Sequence, residues 1–186
     1  MLRFCFLFIC SLTFGQVKQT KTWNASEIKS ITLDFPWASI ISVSSHKYPI
    51  IEVNYQKEGE YQSIFLLRGE IQKSSFYLQE YKSLNLIEHL DKLSVHKVIA
   101  NKIEIKIPLG LNLNMNIKDA QLNCSGVFES LNVVIEEGKA IFNIVDIKGK
   151  IKSLSADLYF YGLKSQTLPK KLNASSIRGN IVVHPN

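Results

Sequence analysis

Residues 102–118 read KIEIKIPLGLNLNMNIK, and an aliphatic side chain stands at every second position of this stretch. The aliphatic residues are Ile103, Ile105, Ile107, Leu109, Leu111, Leu113, Met115 and Ile117. Successive side chains of an extended chain point to opposite faces, so one face here is apolar and the other is polar. A helix would distribute the same residues around its circumference. The pattern therefore predicts a β-strand, or two strands broken near Pro108, with one buried face.

The residues before this stretch show the same alternation in shorter runs. The predicted strands cover residues 28–34, 38–44, 50–55, 63–68 and 75–81. Pro36 and Trp37 mark a bend between the first two strands, and Gly69 is the predicted turn of a hairpin formed by the last two. We predict an antiparallel β meander for residues 16–101. Within it, residues 83–100 fit either a helix with an apolar stripe or a loop leading into a strand, and we favour the loop.

Downstream, the sequence repeats with a period of about 20 residues. Each repeat holds a polar turn before a strand-like run, and the repeats open at Leu111, Leu131, Ile151 and Leu172. Such a period is typical of a solenoid, whose coils stack about 4.8 Å apart through strand pairing. The predicted fold is therefore all-β, with a right-handed β-helix or solenoid-like stack over residues 102–186 after the meander.

The repeats also predict which side chains are inside and which are outside. The predicted interior residues are Val133, Ile135, Phe142, Ile144, Leu154, Leu158 and Phe160. A second set fits either hydrogen-bonded ladders between coils or a solvated face, and we favour the solvated face. This set is Asn112, Asn114, Asn116, Asn123 and Asn132.

The first residues have the pattern of a signal peptide. Arg3 gives a positive start, and residues 5–14 form an apolar run too short to span a bilayer as a helix. Gly15 is a small residue of the kind that a signal peptidase reads, so residues 1–15 are the predicted signal peptide. A membrane anchor is an alternative, but no longer apolar run follows. Lipidation at Cys10 is another, but a large residue precedes it.

Export would leave one domain, residues 16–186, and one cysteine, Cys124. A single thiol cannot form an internal disulfide, so we predict that Cys124 is buried as a small hydrophobe rather than reactive. Residues 102–186 contain eleven basic and seven acidic residues, and this modest basic excess favours a polyanionic surface as partner, although a solvated basic face is the commoner explanation. No nucleic-acid recognition motif is present, which argues against a nucleic-acid partner.

Two strings resemble a known family. They are IEIKIPLGLNLNMNIKDAQLNCSGVFESLNVVIEEGKAIFNIVDIKGKI at residues 103–151 and DFPWASIISVSSHKYPIIEV at residues 34–53. Both resemble the bacterial "putative auto-transporter adhesin" family, also called the head-GIN domain, in which an aliphatic strand ends in Ile-Pro and Gly and is followed by short coils closed by glycine. The resemblance implies an exported all-β protein with a β-solenoid-like stack, and it brings no catalytic motif.

The sequence lacks the short motifs of hydrolases, zinc proteases, redox dithiols and phosphate loops. His89 and His96 flank Asp91 and could meet on one helical face as metal ligands, but a polar loop with solvent-facing histidines is the favoured interpretation. We therefore predict no metal and no cofactor. Asp119 and Asp157 occupy similar turn positions and could align on one edge, as glycoside cleavage by paired carboxylates would require. Solvated turns explain the same pattern without catalysis.

The strand around Phe160 supplies the candidate binding residues. Tyr159 and Tyr161 would share one face of this strand, and nearby lysines would complete a patch for a sugar or an anionic glycan. The candidate basic residues are Lys148, Lys150, Lys152 and Lys164. A covered sheet face is the alternative, and it is the favoured one.

The prediction for function is an exported, non-catalytic structural or binding module of the cell envelope. It would lie in the periplasm or on the cell surface, and one alternative is a position close to the membrane surface. Its partner would be an envelope protein or a glycan. The alternative is a glycan-active enzyme, a polysaccharide lyase or hydrolase, on a short β-helix.

Overall fold

The computed structural model describes residues 17–58, 65–82, 100–144, 147–163 and 167–185. These residues form thirteen β-strands and, within the described ranges, no helix. The strands are β1 (Val17–Asn24), β2 (Ser30–Phe35), β3 (Ile40–His46), β4 (Ile50–Glu58), β5 (Phe65–Gln72), β6 (Ser75–Lys82), β7 (Ala100–Pro108), β8 (Asn112–Gly126), β9 (Ser130–Ile144), β10 (Gly149–Ser153), β11 (Asp157–Leu163), β12 (Leu172–Ser176) and β13 (Ile181–Pro185). The all-β prediction is confirmed. The predicted signal peptide and most of residues 83–100 lie outside the described residues.

Most strands pair in parallel and form two stacks. The first stack contains, in order, β6, β2, the first half of β8, the first half of β9, β10 and β12. The second stack contains β7, β3, the second halves of β8 and β9, β11 and β13. One rung therefore contributes a strand to each stack, and the long strands β8 and β9 each form a whole rung. The hand of this winding stays a prediction.

The spacing between rungs differs from the predicted period. Leu113 pairs with Leu131, Leu131 with Gly149, and Gly149 with Leu172, so the first two steps along the chain are equal and the third is longer. The last step is longer because more chain connects β11 to β12. The predicted repeat starts at Leu111 and Ile151 are wrong, since Leu113 and Gly149 are the residues in register with Leu131. Leu111 and Leu113 share the buried face, so alternation alone does not reveal the error.

The predicted meander is found only in part. β1 pairs with β4, β4 with β7, and β5 with β6, all antiparallel. The prediction is wrong for β2 and β3, which pair in parallel with strands of the neighbouring rungs. The hairpin of β5 and β6 is confirmed, but Gly69 lies inside β5 and the turn falls at Lys73, whose φ is 55°. Alternation tells which face of a strand is buried, but not the direction of its partner.

The inward-facing side chains of both stacks form one apolar core. Residues 102–118 are two strands, which was one of the two predicted alternatives, because β7 ends at Pro108 and β8 begins at Asn112. Leu109 lies in the bend between them and is exposed, unlike the other aliphatic residues of this stretch. The predicted interior residues are buried except Leu154, which lies in the bend after β10. The aromatic rings of Phe142 and Phe160 stack in adjacent rungs with centroids 5.1 Å apart.

Cys124 is a free, buried cysteine in the second half of β8, as predicted. Burial raises the pKa of its thiol to about 12, so almost no reactive thiolate is present near neutral pH. We expect iodoacetamide at pH 8 to leave Cys124 unlabelled in the folded protein and to label it fully in denaturant, as followed by peptide mass spectrometry. Labelling of the folded protein at the rate of an exposed thiol would contradict this assignment.

Candidate functional site

The outer face of the first stack carries an open trough of about 440 Å³. We call it the amide trough; its lining residues are Thr32, Asn114, Met115, Asn116, Asn132, Val133, Val134, Lys150 and Lys152. Two columns of outward side chains cross it. One column is Thr32, Asn114, Asn132 and Lys150. The other is Asp34, Asn116, Val134 and Lys152. Each column therefore presents one side chain per strand.

The asparagines of this face form a ladder between strands. The backbone N–H of Lys150 donates to Oδ1 of Asn132 at 3.2 Å, and Nδ2 of Asn132 donates to Oδ1 of Asn114 at 3.0 Å. In the second column, Nδ2 of Asn116 donates to Oδ1 of Asp34 at 3.0 Å. The favoured interpretation of these asparagines as merely solvated was therefore wrong here, since cross-strand bonds hold their amides in place.

The lysines of the trough differ from three other lysines that the structure describes. Lys102, Lys106 and Lys148 each form an ion pair with a glutamate. Within the described ranges no carboxylate pairs with Lys150 or Lys152. Their in-register neighbours on β9 and β12 are uncharged, namely Asn132, Val134, Asn173 and Ser175. The trough therefore holds two positive charges on one strand without a negative partner among the residues that the structure describes.

The predicted tyrosines lie on the outer face of the second stack. The Tyr161 and His184 rings stack with centroids 4.5 Å apart and an interplanar angle of 7°, and the Tyr159 ring lies 6.4 Å from His184 at 9°. Nζ of Lys139 lies 4.6 Å from the centroid of the Tyr159 ring. Since both tyrosine rings stack with the His184 ring, the ring faces that a sugar would contact are partly occupied.

The structure does not bring the predicted tyrosines and lysines together. Lys150 and Lys152 point outward from β10 in the first stack, whereas Tyr159 and Tyr161 point outward from β11 in the second. The bend between β10 and β11 carries the chain from one stack to the other. Lys148 forms an ion pair with Glu129, and Lys164 lies outside the described residues. The predicted single patch is therefore two separate surfaces, each with different neighbours.

The predicted alignment of carboxylates is also wrong. Asp119 pairs in register with Glu137, whereas Asp157 pairs with Lys139 on the far side of β9 from β8. Asp157 accepts hydrogen bonds from the backbone and the side-chain amide of Asn180, at 2.7 and 3.1 Å. The carboxylates of Asp119 and Glu137 lie in neighbouring rungs on an exposed bend. Among the described residues, the depression beside Asp119 is lined by no second carboxylate.

Within the described ranges, no group of three or more His, Cys, Asp or Glu side chains could hold a metal ion. His89, Asp91 and His96, the candidate ligands from the sequence, lie outside these ranges. No helix in the same ranges has the length and apolar character needed to cross a membrane.

A buried polar network joins the two stacks near β2 and β3. The Glu80 side chain is 3% exposed and accepts hydrogen bonds from Tyr55 Oη at 2.8 Å, Asn101 Nδ2 at 2.8 Å and Trp37 N at 3.0 Å. The backbone N–H of Ala38 also donates to it. Glu80 thereby stabilises the bend between β2 and β3. In the same way, Ser153 Oγ stabilises the bend between β10 and β11 by accepting a hydrogen bond from the backbone N–H of Ala156 at 2.7 Å.

Burial shifts the titration of this network. Desolvation raises the pKa of Glu80, although all four hydrogen bonds oppose it, and raises the pKa of Tyr55 as well. Lys57 is 2% exposed, and desolvation lowers its pKa while the charge of Glu80 partly offsets that effect. The group has the buried, perturbed carboxylate typical of functional sites. However, four protein donors bind Glu80, and among the described residues it lines none of the surface depressions. We therefore assign it to stability.

The sequence contains a signal for two features that were not predicted, the buried Glu80 network and the amide trough. Phe76, Leu78 and Glu80 alternate with polar residues, which places Glu80 on the buried face of β6. A period equal to the observed step between rungs would have aligned Asn114, Asn132 and Lys150. The predicted period is slightly longer than this step, and it separated them.

The chain is similar to known proteins in its fold rather than in its sequence. No family model matches it, and no curated protein matches it. Solved structures do match. A "putative cell adhesion protein" from Clostridium sporogenes is 11% identical with a TM-score of 0.64, covering 92% of this chain and 100% of that one. A "putative adhesin" from Bacteroides fragilis is 12% identical with a TM-score of 0.36, covering 90% and 96%. Another from Parabacteroides merdae is 11% identical with a TM-score of 0.30, covering 89% and 95%.

The first of these structures defines the class of this protein. The chain is an all-β protein that shares its fold, over nearly its whole length, with the Clostridium sporogenes protein. The predicted likeness to adhesin-type proteins is therefore confirmed at the level of the fold. Membership of the head-GIN family stays a prediction.

Proposed function

We propose that this protein is a non-catalytic, adhesin-like binding module of the cell envelope, built as a β-solenoid. The observation that carries the proposal is the form of its outer faces. Each face presents outward side chains in columns that cross several strands, including the amide trough on one stack and the stacked rings of Tyr159, Tyr161 and His184 on the other. Such broad surfaces suit an extended or macromolecular ligand better than a small enclosed substrate.

Three further points support this proposal. The printed name of the Clostridium sporogenes protein describes cell adhesion, and this chain has the same fold. The signal-peptide pattern of residues 1–15 would export the chain, to the periplasm or the cell surface. Among the described residues, the depression beside Asp119 is not lined by Glu137, whereas glycoside cleavage needs both carboxylates to flank one bond. The partner in this proposal is an envelope protein or a glycan.

The test measures binding and turnover on the same material. The purified protein is mixed with cell-wall and outer-membrane preparations, and the bound fraction is measured by sedimentation while released sugar is measured in the supernatant. We expect saturable retention without release of reducing or unsaturated sugars. Sugar release that is lost in the Asp119→Asn or Glu137→Gln variant would instead support the alternative of a glycan-active enzyme. Absence of both retention and release would contradict the adhesin-like function.

A further inference from the structure

The amide trough is the surface whose chemistry points most directly to a ligand class. Its two lysines, Lys150 and Lys152, stand two residues apart on β10, which places them about 7 Å apart along the strand. No ion pair neutralises them among the described residues, in contrast to Lys102, Lys106 and Lys148. An anion that docks here therefore gains two charged hydrogen bonds without first breaking an existing ion pair.

The remainder of the trough is uncharged and suited to a sugar. Val134, which is 46% exposed, lies directly beside Lys152 in register and gives an apolar surface for the C–H groups of a sugar ring. Asn132 stands two residues before Val134 on β9, and its amide is held by a hydrogen bond to Asn114, its in-register neighbour on β8. A small number of fixed polar groups beside an apolar surface is characteristic of ligand sites. The nearest outward carboxylate in these columns, Asp34, already accepts a hydrogen bond from Asn116.

The arrangement also indicates the length of the ligand. The column from Thr32 to Lys150 crosses four strands, and neighbouring strands lie about 4.8 Å apart, so its donors extend over roughly 15 Å. A single monosaccharide or a free carboxylic acid would contact only part of this column. A chain that runs across the strands would meet a polar side chain at each rung.

We propose that the amide trough binds a linear polysaccharide that carries carboxylate groups. Lys150 and Lys152 contact the carboxylates, Asn114 and Asn132 contact hydroxyl groups, and Val134 supports a ring face. This inference rests on the proposed function and names the ligand class for one of its two surfaces. Tyr159 and Tyr161 take no part in the trough.

The test compares two double variants of the full protein. Binding of polygalacturonate is measured by affinity electrophoresis, with dextran as a neutral probe and polyphosphate as an anion without sugar rings. Lys150→Gln/Lys152→Gln removes the trough charges, and Lys47→Gln/Lys170→Gln removes two exposed charges elsewhere. We expect the first variant to weaken polygalacturonate binding about tenfold and the second less than about twofold. Lys150→Arg/Lys152→Arg is expected to retain binding, and dextran to bind no variant.

The outcomes separate this inference from the proposed function. Equal weakening by the two Gln variants, or polyphosphate binding as tight as that of polygalacturonate, would overturn the trough as a carboxylate-polysaccharide site. A protein that ignores polygalacturonate but is retained by envelope material would refute this inference and leave the adhesin-like function standing. If neither polygalacturonate nor envelope material is bound, both fail.

Discussion

Replacing Glu80 with alanine is expected to lower the free energy of unfolding by about 3–5 kcal/mol, which is a large fraction of the stability of an ordinary domain. The carboxylate accepts from Tyr55, Asn101, and the backbone N–H groups of Trp37 and Ala38. All of these donors would lose their acceptor in a buried site, and an unsatisfied buried polar group costs about 1–3 kcal/mol.

The loss would also free the bend between β2 and β3, whose two backbone donors at Trp37 and Ala38 bind Glu80. That bend aligns β2 with β8 in one stack and β3 with β8 in the other, so the effect extends to both stacks. Urea unfolding monitored by circular dichroism measures the change. Glu70→Ala is the matched control, because Glu70 is exposed on β5, and we expect it to change stability by less than about 0.5 kcal/mol. Equal losses in the two variants would show that the network does not support the fold.

The same network predicts a pH dependence. Desolvation raises the pKa of Glu80 above that of the unfolded chain, so the folded protein binds this proton more tightly. Its contribution to stability is therefore complete below the unfolded pKa of about 4.3 and is lost as the pH rises through the folded pKa. Glu52 and Glu129 have lowered pKa values because of Lys106 and Lys148, and they act in the opposite direction.

Glu80→Gln isolates the titration of this one carboxyl group, since the variant keeps Glu52 and Glu129. We expect the stability of the natural protein relative to Glu80→Gln to decrease as the pH is raised from about 4 towards 8. Denaturant unfolding of both proteins at a series of pH values gives this difference. A difference that increases with pH would mean that the hydrogen bonds outweigh desolvation and that the pKa of Glu80 is lowered.

The side-chain alternation predicted buried faces well and strand partners poorly. In residues 102–118, the burial of Ile103, Ile105, Leu113 and Ile117 follows directly from the pattern, because burial depends on the local period of the strand. The exception, Leu109, lies where the chain bends. Partners depend on the chain as a whole. β6 and β7, for example, form a rung next to β2 and β3 although β4 and β5 intervene in sequence.

The candidate site shows the same division between local and long-range information. Lys152 and Tyr159 are close in sequence, which suggested one patch, but the bend after β10 sends them to different stacks. Asn114, Asn132 and Lys150 are far apart in sequence and adjacent in space, because the register between successive rungs aligns them. Prediction of the trough required the exact number of residues per rung. The longer step before β12 obscured this number, because it lengthened the average period.

The spacing between rungs leads to the second large effect, at Gly138. This residue lies where β9 passes from one stack to the other, with a φ of 102° that side-chain-bearing residues rarely adopt. A Cβ atom at Gly138 would lie 2.2 Å from the carbonyl oxygen of Ala120, its partner in the preceding rung. Two backbones thus approach here more closely than any side chain permits.

We expect Gly138→Ala to lower the free energy of unfolding by about 3 kcal/mol or more, since it combines backbone strain with a displacement of β9 from β8. Gly110→Ala separates the two causes. Gly110 also has a positive φ, 73°, but nothing lies within 4 Å of its Cβ position, so this variant should lose only about 1–2 kcal/mol from backbone strain. Denaturant unfolding of both variants gives the comparison. Similar losses of unfolding free energy in the two variants would show that backbone strain alone matters and that the rungs can separate at this bend without cost. A clearly larger loss in Gly138→Ala would establish that the close contact of β8 with β9 sets the position of this bend.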